Sequence, residues 1–264
     1  MDSALDEIEF LALSANRVET LRVLSHDAYT RRELQAEIDA SQPTLSRVLN
    51  DLQKRRWVSY DGDTYTATAT GELVAEAFTN LWDTLDAEAD LREIIEWLPT
   101  EEMEFDFRCL TDATITTPSQ MRPNAPVQRI LSLLSGSEQV SIFSYAFNEQ
   151  SLDIIREHVI GGDQHFTGVF SPTAVDAIAQ DSMLRQPLQE LVAADGAEIR
   201  LHEDRIPYAV TIADDVVHFM LRDEAGVLQG AIDTDNEAVV SWAREKHAQY
   251  WQNAAPLSSA DLLE

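Results

Sequence analysis

The sequence predicts a mixed α-β (α+β) fold in three parts: a helical N-terminal module closed by a β-hairpin, a long linker helix, and a C-terminal α/β domain. Three observations lead there. Residues 30–60, TRRELQAEIDASQPTLSRVLNDLQKRRWVSY, read as two short helices joined by a tight turn, the second running into a strand. An apolar stripe at helical spacing then extends from Leu73 to Leu98. From residue 111 onward, short β-prone runs alternate with helical ones, the pattern of a sheet covered by helices. The expected boundaries are 1–70 for the module, 71–99 for a linker and dimerisation helix, and 100–264 for the C-terminal domain, with a break at Pro99-Thr100-Glu101-Glu102. A length of 264 residues fits two domains better than one.

Each element has a local reason. Residues 4–13 place Leu5, Ile8, Leu11 and Ala12 on one helical face, and residues 16–25 do the same with Val18, Leu21, Val23 and Leu24. Thr30 and Glu33 form a capping box that opens a third helix through Ile38. Ser41 caps the fourth, and Pro43 is tolerated in its first turn, where a missing N–H leaves no helical bond unmade. Leu45, Val48, Leu49 and Leu52 must then face the core. Two β-prone runs, 57–60 and 64–67, flank Asp61-Gly62-Asp63 as a hairpin. A hairpin directly after such a helix is the wing of a winged helix-turn-helix, whose second helix is shaped to enter a DNA major groove.

Thr68 caps a helix expected from about residue 69 to 98, with Leu73, Val74, Ala77, Phe78, Leu81, Leu85, Leu91, Ile94, Ile95 and Leu98 as its stripe, and Pro99 ending it. So long a stripe exceeds what a small wing covers and calls for a second domain or subunit. Beyond it, strands are expected at 113–117, 139–144, 165–170, 197–201, 207–213, 215–222 and 226–233, with helices near 125–135, 148–160, 172–194 and 236–252. The last three strands form a meander whose first turn is Asp214-Asp215.

Composition narrows the function. The net charge is −28, from 47 acidic and 19 basic residues, and only Lys54 and Lys246 are lysines. Residues 17–60 nevertheless net +2, with Arg17, Arg22, Arg31, Arg32, Arg47, Lys54, Arg55 and Arg56, so the remainder nets −30. That asymmetry is what nucleic-acid binding asks of an otherwise acidic chain. The single cysteine, Cys109, excludes an intrachain disulfide and a cysteine-based zinc site, and reads as a buried small hydrophobe. No apolar run approaches the roughly 20 residues that span a bilayer. The acidic N-terminus is unlike a signal peptide, so a cytoplasmic protein without membrane contact is expected.

The stretch TRRELQAEIDASQPTLSRVLNDLQKRRWVSYDGDTYTATATGE resembles the winged helix-turn-helix of archaeal transcriptional regulators. The residues behind this are Ser41-Gln42-Pro43-Thr44-Leu45-Ser46-Arg47, the exit from Leu52 to Trp57-Val58, and Tyr65-x-x-Thr68-x-x-Gly71. The rest resembles the C-terminal sensor domain of haloarchaeal regulators of the TrmB-like and methanogenesis-regulator type, through Ile206-Pro207-Tyr208-Ala209-Val210, the Asp214-Asp215 turn and the closing helix from Trp242 to Trp251. The resemblance implies a sensor domain of phospholipase-D-like topology, dimerisation, and a small metabolite as effector. The acidic, lysine-poor composition resembles that of proteins of salt-loving archaea, in which molar salt screens self-repulsion.

The candidate DNA-reading residues are Gln42, Thr44, Ser46, Arg47 and Asn50, on the polar face of the fourth helix. Gln and Asn suit adenine edges and Arg suits guanine. Arg31, Arg32, Lys54, Arg55 and Arg56 are phosphate-contact candidates that position without reading sequence. The bland reading is a solvated or protein-contacting face, and spacing does not say which residue meets a base. At molar salt, counterion release would drive binding little, leaving more to base contacts and shape.

Candidate effector ligands lie at strand-to-helix turns: Ser144 and Tyr145 in Ser144-Tyr145-Ala146-Phe147-Asn148, Ser171 and Thr173 in Ser171-Pro172-Thr173, with Arg200, His202 and Arg122 as possible companions. Such turns present free N–H groups at a positive helix end and suit an anion; plain N-capping is the alternative. Histidines 158, 165, 202, 218 and 247 have no metal-ligand spacing and read as structural or exposed, and Tyr208 and Phe219 read as core. No metal or other cofactor is expected. No histidine is followed two places later by lysine, as a phospholipase-D-like enzyme requires, and no Gly-x-Ser-x-Gly, Walker or Gly-x-Gly-x-x-Gly motif occurs, so no catalytic residue is assigned. The expectation is a homodimeric, sequence-specific regulator of double-stranded DNA that senses a small, anionic or sugar-type metabolite. A ligand-independent architectural or chromatin-type DNA-binding dimer is the alternative.

Overall fold

The computed structural model describes residues 2–147, 149–258 and 262. The chain divides into two compact units, Met1–Asp86 and Ala87–Glu264.

The first unit contains α1 (Asp2–Ala12), α2 (Ala15–His26), α3 (Arg31–Glu37), α4 (Gln42–Lys54), β1 (Val58–Tyr60), β2 (Tyr65–Ala67) and most of α5 (Ala69–Arg92). The capping box of α3 is complete: Glu33 N–H donates to the Thr30 hydroxyl at 3.3 Å, and Thr30 N–H donates to the Glu33 carboxylate at 2.8 Å. Leu21, Leu24, Leu34, Leu45, Leu49 and Leu52 are buried together as the core. Full burial of each side chain contributes about 1.5–3 kcal/mol, which holds a set of helices each too short to be stable alone. β1 and β2 pair in antiparallel fashion, and Tyr29 adds an isolated bridge to Tyr65.

The wing is tied back to the end of α4. Arg56 adopts the left-handed region at φ +62°, which stops the helix. The Thr68 hydroxyl donates to the Arg56 carbonyl at 2.7 Å, Thr68 N–H donates to the Trp57 carbonyl at 2.9 Å, and Gly71 N–H donates to the Thr68 hydroxyl at 3.1 Å. A Cβ on Gly71 would overlap the Trp57 carbonyl oxygen, so only glycine lets α5 pass this close.

The stripe from Leu73 to Leu98 does not make one helix. The α-helix ends at Arg92, and residues 95–97 form a 3-10 turn. The stripe skips from Leu85 to Leu91 across exposed Glu88 and Ala89, and Ile94 and Leu98 are buried in the core of the second unit, a path a straight helix would not give them.

The second unit adds β3 (Thr114–Thr116), α6 (Ala125–Gly136), β4 (Gln139–Ser144), α7 (Glu149–Gly161), β5 (His165–Phe170), α8 (Pro172–Gln180), α9 (Arg185–Val192), β6 (Ala197–Leu201), β7 (Ala209–Ala213), β8 (Val216–Arg222), β9 (Leu228–Thr234), α10 (Glu237–Asn253) and β10 (Ala255–Pro256). One eight-stranded sheet runs β10-β6-β5-β4-β7-β8-β9-β3. β4, β5 and β6 are parallel and the other pairings are antiparallel, giving the expected mixed sheet with a β7-β8-β9 meander. One face packs Phe143, Val210, Phe219 and Ile232 against Trp242 and the 94–110 segment; the other packs Ile142, Phe166 and Phe170 with residues of α6 to α9.

Three further expectations are corrected. The single helix expected over 172–194 is two, because Asp181 turns its carboxylate onto Met183 N–H at 2.8 Å and breaks the ladder. β7 begins at Ala209 rather than 207, since Pro207 has no N–H to donate to a ladder. β10, unforeseen, pairs Ala255 with Leu201 and Pro256 with Arg200. Tyr208 and Phe219 are buried as expected, whereas Cys109 is only partly buried.

His247 on α10 lies beside Phe143 and stacks on Trp251, with ring centroids 5.4 Å apart in the latter pair. Burial pushes its imidazole down to about 4, against a smaller opposing effect of the hydrogen bond with Thr167. An unfolded imidazole titrates near 6.5, so between these values the unfolded chain holds the extra proton, and stability falls as pH drops from about 6.5 towards 4. Replacing His247 by Phe should flatten the dependence of the melting temperature on pH across that window. Replacing Gly71 by Ala should destabilise the first unit by about 1–3 kcal/mol, read as a lower urea midpoint with unchanged slope.

Candidate nucleic-acid interface

The face of α4 opposite its leucines is the candidate surface. Its N-terminus is fixed by Ser41, whose hydroxyl accepts Thr44 N–H at 3.4 Å and shares a 2.9 Å hydrogen bond with the Thr44 hydroxyl. The crossing with α3 is held by Arg31, donating to the Gln42 carbonyl at 3.4 Å, and by Gln42, donating to Gln35 at 3.1 Å. Ser46 donates back to the Gln42 carbonyl at 2.6 Å. Gln42, Thr44, Ser46 and Arg31 are therefore engaged within the motif. Arg47 and Asn50 are exposed and make no side-chain hydrogen bond among the described residues. With Pro43 and Lys54 they follow a 4-3-4 spacing, which aligns them along one helical face.

The remaining basic candidates divide. Arg32 and Arg56 are exposed, and Lys54 pairs with Asp51 at 3.3 Å. Arg55 is turned inward: its Nε donates to Glu7 at 2.6 Å and its guanidinium lies 3.4 Å from the Phe10 ring centre. That combination pins α1 to the end of α4.

The wing carries a feature that residue counting across 17–60 passes over. Asp61 accepts N–H groups from Asp63 at 2.9 Å and Thr64 at 2.8 Å, and Tyr60 stacks on Tyr65 at 4.5 Å between ring centroids. The hydrogen bonds from Thr64 and Asp63 hold the Asp61 carboxyl below its usual range. The wing tip is thus anionic, and phosphate contact there meets like charge.

In the second unit the two expected strand-to-helix turns are neighbours, because β4 and β5 pair in parallel with Ser144 opposite Phe170. Ser144 is buried and bonds within its own turn, donating to the Ala146 carbonyl at 2.6 Å. Asn148 lies outside the described residues. Ser171 caps α8, accepting Ala174 N–H at 3.3 Å, and shares a 3.1 Å hydrogen bond with Thr173. His202 N–H donates to the Phe170 carbonyl at 2.9 Å, which brings this buried histidine to the same sheet edge. Tyr145 sits there too, its hydroxyl pushed up by burial. Arg200 is not part of the group: it pairs with Glu198 at 2.7 Å, donates to the Trp251 carbonyl at 3.1 Å and stacks on that indole. Arg122 is exposed in a loop with no side-chain partner among the described residues.

Two features escaped the sequence reading. A cleft of about 490 Å³ is lined by Trp97, Tyr145, Arg205, Tyr208 and Arg222 among others. Beneath the sheet surface, Asp233, His218 and Thr211 form a buried polar row. Asp233 accepts from His218 Nδ1 at 2.8 Å and Arg129 Nε at 3.0 Å. Burial pushes the Asp233 carboxyl up, but the bonds and charges of His218 and Arg129 outweigh it and leave the group below its usual range. Alternation was the available signal: His218 in VVHFMLR and Asp233 in GAIDT occupy positions that strand periodicity turns to one face. Among the described residues no group of three or more His, Cys, Asp or Glu could hold a metal ion.

If the wing tip lies against phosphates, Asp63→Asn should raise affinity for duplex DNA several-fold at low salt and less at high salt. Fluorescence anisotropy at two salt concentrations checks this, and the substitution leaves the Asp61 turn intact.

Residues 5–90 match the family model of the HVO_A0261 N-terminal domain, and residues 123–253 that of the middle domain of the methanogenesis regulatory protein FilR1. Among solved structures, the archaeal chromatin protein TrmBL2, described as showing a novel mode of DNA binding, is 17% identical, with 94% of this chain and 96% of that one covered and a TM-score of 0.43. NucT from Helicobacter pylori is 12% identical over 55% of this chain and 99% of its own, with a TM-score of 0.45. Nuc from Salmonella typhimurium, a phospholipase D family member, is 11% identical over 56% and 99%, with a TM-score of 0.44. No curated protein matches. The chain thus carries an HVO_A0261-type N-terminal domain over residues 5–90 and a FilR1-type middle domain over residues 123–253.

Proposed function

We propose that this regulator is a homodimer that binds specific sites on double-stranded DNA through α4 and responds to a small metabolite bound in its second unit. The observation that carries the reading is the α4 face: Arg47 and Asn50 stand exposed, with no side-chain partner among the described residues, on a helix whose other side is sealed by four buried residues, Leu45, Val48, Leu49 and Leu52. Arg32, Lys54 and Arg56 flank that face as phosphate contacts, and Gln42, Thr44, Ser46 and Arg31 set its geometry. The chain is read as non-catalytic, since the His-x-Lys pairs of a phosphodiester-cleaving site do not occur in its sequence. No described helix is long and apolar enough to cross a membrane, and we place the protein in the cytoplasm with the DNA.

The three-part organisation, with residues 71–99 as a linker and dimerisation segment whose helical part is α5, gives the proposed coupling. Leu73, Leu81, Trp82 and Leu85 on α5 are exposed, as are Leu5 and Ile8 on α1. Apolar side chains in this number on one small unit favour burial against a second copy. A dimer presents two α4 helices to successive major grooves about one helical turn apart. An effector that binds the two arrangements of those helices unequally shifts their populations.

Arg47→Ala and Asn50→Ala should each weaken binding to the specific site by about 1–3 kcal/mol with little change on random DNA; equal loss on both DNAs would refute base reading. The specific sites come from genome-wide mapping of bound DNA. Trp82→Glu with Leu85→Glu should convert the dimer to monomer in sedimentation equilibrium, and an unchanged mass would refute the α5 interface.

A further inference from the structure

The sheet of the second unit carries polar side chains where a core is ordinarily apolar. Asp233 on β9, His218 on β8, Thr211 on β7 and Ile142 on β4 are successive register partners, so all four share one face. The three polar residues are buried. Both Asp233 oxygens are engaged, one by Arg129 and the other by His218 Nδ1. Since the carboxylate only accepts, Nδ1 carries the proton. Ring geometry then turns Nε2 away from Asp233, and Nε2 is buried with no partner among the described residues. A carboxylate, an imidazole and a guanidinium assembled there stabilise the fold less than apolar packing would, and a buried imidazole nitrogen left unsatisfied adds to the cost.

What the row offers is a site. A cavity of about 80 Å³ lies beside His218 and is lined also by Ser144, Thr211, Met220 and Arg222. In a chain of net charge −28, no carboxylate among the described residues lines it. Among the described residues its charged or chargeable linings are Arg222, one nitrogen of which donates to the Gly226 carbonyl at 2.9 Å, and His218, whose partner Asp233 is also bonded by Arg129. The cavity shares Ala209, Met220 and Arg222 with the outer cleft, which holds Tyr145 and Arg205 and also Glu96, Asp223 and Glu224, so a molecule anchored inside by its anionic end has room to extend its other end outward.

We propose that this inner cavity anchors a small carboxylate as the effector, an inference that rests on the sensing reading of the second unit. The ligand carboxylate lies between the Arg222 guanidinium and His218 Nε2, with the Thr211 hydroxyl as a further donor. His218 takes up one proton from solvent at Nε2 on binding, which lets it donate there while Asp233 accepts from Nδ1. The body of the ligand points towards Tyr145 and Arg205.

Calorimetric titration of the full chain with sodium pyruvate, sodium acetate and inorganic phosphate, at constant ionic strength, tests the assignment. Pyruvate or acetate should bind saturably, one per chain, and Arg222→Gln and His218→Gln should each weaken binding at least tenfold. Thr211→Val, close in shape to the native residue, should weaken it less and keeps the test decisive if His218→Gln fails to melt cooperatively. Absence of saturable carboxylate binding, binding unaltered in the variants, or preference for phosphate over both carboxylates would overturn the proposal. DNA affinity measured on the same samples separates the two readings. Carboxylate binding without any change in DNA affinity retains the site and removes sensing; DNA binding without carboxylate binding removes only the site.

Discussion

The candidate surface of the first unit depends on how the end of α4 is anchored. Leu45, Val48, Leu49 and Leu52 fix its rotation about the helix axis, because moving any of them outward would expose a buried leucine or valine. Its far end is fixed separately: Arg56 leaves the helix through a left-handed residue, Thr68 bonds the Arg56 and Trp57 carbonyls, and Gly71 presses against the same backbone. Arg47 and Asn50 are exposed polar side chains with rotamer freedom, so their aim is no better than the helix that carries them. Backbone anchoring of this kind supplies the precision that recognition of base edges needs.

A comparable rigidity serves a different purpose in the second unit. The α10 side of the sheet is a conventional core of Phe143, Phe219, Ile232 and Trp242. The opposite side is apolar towards β5 and polar towards β9, where Asp233 is held between His218 and Arg129. The polar row is held by strand register, which cannot slip by one residue without turning its whole apolar set to the wrong face. Charged groups held by such a frame need little reordering to meet a ligand.

Much of this was legible in the sequence, and the omissions have identifiable causes. The α3–α4 motif, its caps and the hairpin were readable because each is specified by neighbours: Thr30 with Glu33, Ser41 with Thr44, Asp61 with Thr64. The strands 139–144, 165–170 and 197–201 were readable because each is a short β-prone run with apolar residues at alternate positions, set between helical stretches. The end of α5 was misjudged because the stripe from Leu91 to Leu98 keeps helical spacing while facing another core. Among the candidate site residues, the exposure of Arg47 and Asn50 followed from helix periodicity. The inward turn of Arg55 did not, since its partners Glu7 and Phe10 lie some fifty positions away in the chain. His218 was read alone and Asp233 not at all, and only strand pairing across fifteen residues makes them a unit.

The two borders of the large sheet are both blunt. β3 is three residues long, and β10 is two, one of them Pro256, which lacks the N–H that a further strand would need. Neither border therefore offers a template on which another polypeptide could extend the ladder. A sheet bordered in this way is shielded from fibrillar self-association, and contacts between copies of the chain are left to side chains.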